Sequence, residues 1–183
     1  MHAFKMPDEI VDRVVARVGR PHPFDRLTPE RTALVVIDMQ NYFMKPGYMG
    51  EVPLARGIVP TANRLAAGVR AVGGHVVDPA DAQIVKKRFS AFIQGSSSID
   101  AHLQARGIDT VLIAGTATNV CCESSARDAM MLNYKVVMIS DATATYTDVE
   151  HQAALASFYA IFGDVQTTDE ALASLRHGAR KAA

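Results

Sequence analysis

Short apolar runs recur along this chain between stretches of helical spacing, and that alternation restricts the folds open to it. Ala33-Leu-Val-Val-Ile37, His75-Val-Val77, Val111-Leu-Ile-Ala114 and Lys135-Val-Val-Met-Ile139 are too short for buried helices and lack polar alternation, so they read as strands covered on both faces. Runs at 84–86 and 164–166 bring the expected strands to six. Residues 58–72, 98–106, 120–132, 149–162 and 168–175 read as the helices between them, with Gly73-Gly74 stopping the first. Alternation of this kind predicts an α/β fold of three α/β/α layers, built on a doubly wound, mainly parallel six-stranded sheet. Ahead of it, Pro7-Asp-Glu followed by Ile10, Val11, Val14, Val15 and Val18 predicts an amphipathic helix over 7–18, which Gly19-Arg-Pro-His-Pro23 breaks. The expected organisation is a helical extension over 1–28 and a single domain over 29–183.

A chain of 183 residues suits one domain that buries roughly two-thirds of its unfolded surface. Nineteen Lys and Arg balance nineteen Asp and Glu, so no overall field favours nucleic acid or an anionic membrane, and neither is an expected partner. The two cysteines are adjacent, which excludes an ordinary disulfide framework and offers no zinc-finger spacing. The N-terminal residues lack an apolar signal core, and no run approaches the ~20 apolar residues of a membrane span, so a reducing cytoplasm is the expected setting.

The chemistry concentrates in Gly115-Thr-Ala-Thr-Asn-Val-Cys-Cys-Glu-Ser-Ser-Ala-Arg-Asp128, where a strand passes through a polar turn into a helix. Free cysteines are more often small buried residues than catalysts. Cys121, however, falls in the first helical turn, where unpaired N–H groups and the positive end of the helix dipole favour a thiolate and can hold an oxyanion. Asp38 ends one apolar run, and Lys86-Lys87 follows Ile84-Val85. The carboxyl ends of parallel strands share one edge of a sheet, so an acid, a base and a thiol can meet there.

Ala33-Leu-Val-Val-Ile-Asp-Met-Gln-Asn41, Lys86-Lys-Arg-Phe-Ser-Ala-Phe92 and Gly115-Thr-Ala-Thr-Asn-Val-Cys121 stand in the order found in the isochorismatase-like cysteine hydrolases, which the chain resembles from about Thr32 to its end. That superfamily includes nicotinamidases and the carbamoylsarcosine and ureidoacrylate amidohydrolases. The resemblance implies Cys121 rather than Cys122 as nucleophile, Asp38 as acid and base, and Lys86, three residues before Phe89, rather than Lys87 as their cationic partner. It further implies a cis peptide between Thr116 and Ala117 that aims the Ala117 N–H where the Cys121 N–H points, making an oxyanion hole. Asn41, Phe43, Phe89 and Thr118 are candidate substrate contacts. The implied activity is hydrolysis of a C–N bond in a small carboxamide, ureido or carbamoyl compound through a thioester, without a cofactor. The alternatives are another small acyl substrate, such as nicotinamide, an ester or a lactam, and a non-catalytic oligomeric binding scaffold. Family members commonly form dimers or tetramers, so a homo-oligomer is expected.

One departure is large. Between the second strand and the lysine lie only His75-Val-Val-Asp-Pro-Ala-Asp-Ala-Gln-Ile-Val85, where relatives carry several tens of residues more. Two explanations stand open: a loop near Val77–Asp78 that the sequence as read lacks, or a genuinely shortened member. Nicotinamidases bind a metal through an Asp and His cluster in that segment. The histidines here, at 2, 22, 75, 102, 151 and 177, are scattered without ligand spacing, so no metal site is expected.

Overall fold

A computed structural model describes residues 2–77 and 83–182. In chain order its elements are α1 (Asp8–Val18), β1 (Thr32–Ile37), α2 (Asn41–Met44), α3 (Val59–Ala71), β2 (His75–Val77), α4 (Ile99–Gln104), β3 (Thr110–Thr116), α5 (Glu123–Met131), β4 (Lys135–Ala144), α6 (Asp148–Ile161), β5 (Asp164–Gln166) and α7 (Thr168–Ala182). The strands form one parallel sheet in the order β2-β1-β3-β4-β5. The expected three-layer α/β fold is therefore present, with five strands among the described residues where six are expected. The missing one is 84–86, which pairs with no strand among the described residues. Its apolar residues serve other ends: Ile84 packs against the core, and Val85 is exposed.

Alternate residues of the strands supply two cores, as the pleat requires. Val35, Ile37, Val111, Ile113, Val136 and Met138 face α1, α4, α5 and α6. Leu34, Leu112, Val137 and Ile139 face α3 and α7 through Leu65, Val69 and Leu175. Both faces are covered, which explains why the runs are apolar without alternation. The extension is not detached: Val14 of α1 belongs to the first core, and Arg17 donates to the Ala160 carbonyl of α6 at 2.7 Å. Thr147 caps α6 by accepting from the Glu150 N–H at 3.2 Å while its hydroxyl donates to the Glu150 carboxylate at 2.7 Å.

The sequence runs continuously through 78–82, so the short connection after β2 belongs to the chain itself, although those residues lie outside the described ones. From β1 the chain leaves to β2 on one side and, after α4, continues into β3 on the other. Such a reversal opens a crevice at the carboxyl ends of β1 and β3. Asp38 follows the first of these strands, and the turn that carries Cys121 follows the second.

Candidate active site

β1 and β3 approach so closely at this edge that a Cβ on Gly115 would lie 2.0 Å from the Ile37 carbonyl oxygen. Gly115 also has φ +115°, so glycine is required on both counts. On the neighbouring strand Asp38 takes a left-handed conformation with φ 51°, a turn that Asp tolerates better than most residues, and its carbonyl accepts from the Gln40 N–H at 2.8 Å. The strand thus ends abruptly and leaves the carboxylate at the rim.

After β3 the peptide bond between Thr116 and Ala117 is cis. The chain then makes a π-helical turn over Thr118–Cys122 before α5 begins. Sequence spacing places Cys121 in an ordinary first helical turn; the wider turn replaces it because the Ala117 carbonyl accepts from both the Val120 and Cys122 N–H groups, each at 3.1 Å.

Lys86 brings the pieces together. Its ammonium lies 2.7 Å from Asp38 Oδ2 and donates to Cys121 Sγ at 3.6 Å and to the Arg88 carbonyl at 3.0 Å. Asp38 Oδ2 has no hydrogen bond of ordinary geometry among the described residues, so the ammonium serves it as a charge partner. All three side chains are largely shielded from solvent: Asp38 is 11% and Lys86 14% exposed, and Cys121 is buried. A cavity of about 220 Å³ adjoins Asp38 and Lys86, lined by Val35, Ile37, Gln40 and Ile84 among others, and Cys121 stands behind the ion pair rather than in its lining. Its lining is mixed, with Gln40, Gln83 and Ser97 beside the ion pair and Val35, Ile37 and Ile99 supplying apolar wall.

The thiol does not rest as the thiolate that its position suggests. Burial pushes Cys121 up to about 11, the Asp38 carboxylate adds to the rise, and Lys86 only partly opposes it. The resting sulfur is a thiol beside a proton acceptor. Cys122 is fully buried, and desolvation holds it well above the ordinary thiol value.

The remaining candidates separate. Phe43 packs on a small cluster containing Ala117 and Ala144, which places it near the turn. Asn41, at the start of α2, and Phe89 are exposed. Thr118 departs from its expected place as a substrate contact: it is fully buried, and its hydroxyl is engaged by His151 Nδ1 at 2.9 Å.

Sequence reasoning passes over the serines that hold the lysine segment. Ser125 of α5 accepts from the Ala91 N–H at 2.9 Å, tying the segment to the cysteine's helix. Ser90 accepts from the Phe92 and Ile93 N–H groups, while Ser96 donates to the Ser90 carbonyl and accepts from the Arg88 N–H. A run of serines in a segment without apolar periodicity is the available signal, since such hydroxyls commonly fold a loop on its own backbone.

A parallel sheet with thiol, carboxylate and ammonium gathered at its switch point defines a class of α/β proteins equipped for nucleophilic chemistry. Known proteins narrow the class. The isochorismatase domain model matches residues 76–170, and the chain belongs to the isochorismatase family. It is 37% identical over 100 residues to the uncharacterized isochorismatase family protein YwoC of Bacillus subtilis, a match covering 55% of this chain and about half, 52%, of that relative. It is 29% identical over 226 residues to the ureidoacrylate amidohydrolase RutB of Pseudomonas savastanoi pv. phaseolicola, covering 88% of this chain and 91% of that protein. The aligned length exceeds the 183 residues present here, so that relative carries residues that this chain lacks. A crystal structure of a cysteine hydrolase from Pseudomonas syringae pv. phaseolicola 1448A superposes with a TM-score of 0.76 at 26% identity, covering 83% of this chain and 95% of that one.

Proposed function

We propose that this protein is a cysteine-dependent amidohydrolase that cleaves a C–N bond of a small carboxamide, ureido or carbamoyl compound. The observation that carries this reading is the Lys86 ammonium standing between Asp38 Oδ2 and Cys121 Sγ, three residues remote in sequence and joined at one rim. Relatives named as amidohydrolases supply the bond type.

Asp38 takes the Cys121 proton as sulfur attacks the acyl carbon, so the S–C bond forms while the carboxyl becomes protonated. Because the free thiol sits near 11, proton transfer accompanies attack. Lys86 remains charged throughout and stabilises the transient thiolate. The Ala117 and Cys121 N–H groups receive the tetrahedral oxyanion. Asp38 returns its proton to the departing nitrogen, the C–N bond breaks, and a thioester remains. Asp38 then accepts a proton from water, whose oxygen attacks the thioester, and delivers that proton to sulfur as the acid leaves. No step calls on a cofactor.

The same reading places the enzyme in a reducing cytoplasm, where a free thiol survives, and in a dimer or tetramer that covers apolar surface such as Met131 and Leu132. Ammonia release from a panel of small amides and ureido compounds tests the activity. Turnover of at least one member, lost in Cys121→Ala, is the expected result. A panel without turnover, or turnover that survives Cys121→Ala, overturns the proposal.

A further inference from the structure

Two histidines outside the reacting trio converge on the turn that carries the thiol. His151 of α6 is completely buried, and its Nδ1 meets the hydroxyl of Thr118, three residues before Cys121, at 2.9 Å. The next residue, Asn119, accepts from the Thr145 hydroxyl at 2.6 Å. Both supports lead to His2. Its ring stacks on His151 with centroids 4.3 Å apart and planes at 15°. Its Nε2 accepts from the Thr145 N–H at 3.0 Å, and its Nδ1 donates to Asp148 at 2.7 Å.

We propose that His151 and His2 are positioning residues for the nucleophile turn, so that the N-terminal segment completes the active site rather than merely preceding the domain. The proposal rests on Cys121 being the nucleophile. An apolar side chain at 151 would fill the same space without stranding a polar atom, yet His151 Nε2 is buried with no hydrogen bond of ordinary geometry among the described residues. What imidazole adds is the bond to Thr118. Burial, and then the neighbouring His2, lower His151 to about 4 against the opposing Ser140 backbone, so at neutral pH the ring is neutral and shares a single proton with the Thr118 hydroxyl. Fixing Thr118 and Asn119 fixes the backbone between Ala117 and Cys121, the two proposed oxyanion donors. A small error in their aim affects the transition state more than substrate binding.

The test compares His151→Ala, His151→Asn and His2→Ala in the full chain, with kcat and KM measured separately on the best amide of the panel. Asn can present a polar atom where Nδ1 stands. His151→Ala is expected to lose about 10- to 100-fold in kcat with KM nearly unchanged. His151→Asn should recover most of that loss, and His2→Ala should fall between Ala and wild type. A folded His151→Ala with wild-type kcat, an Asn variant no better than Ala, or an unaffected His2→Ala overturns the proposal. Should His151→Ala fail to fold, Thr118→Val removes the other end of the same bond and takes its place under the same criteria. Cys121→Ala is assayed alongside. If it abolishes turnover while the histidine variants are normal, only the positioning role fails; if turnover survives it, both readings fall.

Discussion

The two halves of the site are held by different physics. The cysteine half comprises β3, the π-helical turn and α5: every residue of β3 is buried, and the turn is fixed by backbone hydrogen bonds beneath and by His151 and Thr145 above. The lysine half, from Gln83 to Ser98, contains neither strand nor helix, exposes Val85, Phe89 and Ile93, and is held chiefly by serine hydroxyls. One half therefore draws its precision from sheet register and burial, the other from a few polar contacts. Segments of the second kind open more easily than the fold as a whole, so the Lys86 ammonium is set more softly than Asp38 and Cys121, which both follow strands of the sheet.

The sharpest contrast comes from the thiol pair. Cys121→Ala should lower turnover by about 10⁴-fold or more, whereas Cys122→Ala, one position along the same turn, should retain most activity. Reversal of these outcomes in a steady-state ammonia assay would assign the nucleophile to the wrong sulfur.

Asp38→Asn should lower turnover by about 10³-fold while making the thiol easier to ionise. The carboxylate raises Cys121 and Lys86 lowers it, so removing the negative charge moves the thiol below about 11. Iodoacetamide alkylation at pH 8 should then be faster in Asp38→Asn than in wild type, where the rate climbs with pH towards 11. Unchanged alkylation would show that carboxylate and sulfur are uncoupled.

Damage to the rigid half should appear as lost stability. Gly115→Ala forces a Cβ onto the Ile37 carbonyl and should cost ~3 kcal/mol or more, read from the urea midpoint. Ser125→Ala, which cuts the tie between the halves and leaves the Ala91 N–H unpaired, should cost ~1–3 kcal/mol and lower activity through Lys86. Phe89→Ala touches only the soft half, so stability should stay within about 0.5 kcal/mol and any effect should fall on KM. A loss of stability there as large as that of Ser125→Ala would erase the distinction.

Much of this was legible beforehand because the signals were local. Apolar runs, glycine breaks and the order of three motifs point to the parallel sheet and to Asp38, Lys86 and Cys121. Residues 84–86 look like a strand because Ile84 and Val85 favour one, yet a strand exists only where a neighbour accepts its hydrogen bonds, and none among the described residues does. Thr118 reads as a substrate contact because it adjoins the nucleophile; its fully buried place follows from His151, 33 residues on. The thiol's resting state departs from the expected thiolate for a related reason. A helix start can be read from spacing, but the burial and the carboxylate that outweigh it come from other segments.

The sequence alone pointed to Asp38, Lys86 and Cys121 as candidates and to most of the strands, since residue type and period are properties of short stretches of chain. The tertiary structure decided how the Lys86 ammonium is shared between Asp38 and Cys121, which proton the sulfur keeps, and that His2 reaches the nucleophile's turn across 143 positions to Thr145. Distance along a chain says nothing of distance in space until strand order and burial are set, and charge at a site depends on every group that folding brings within a few ångströms.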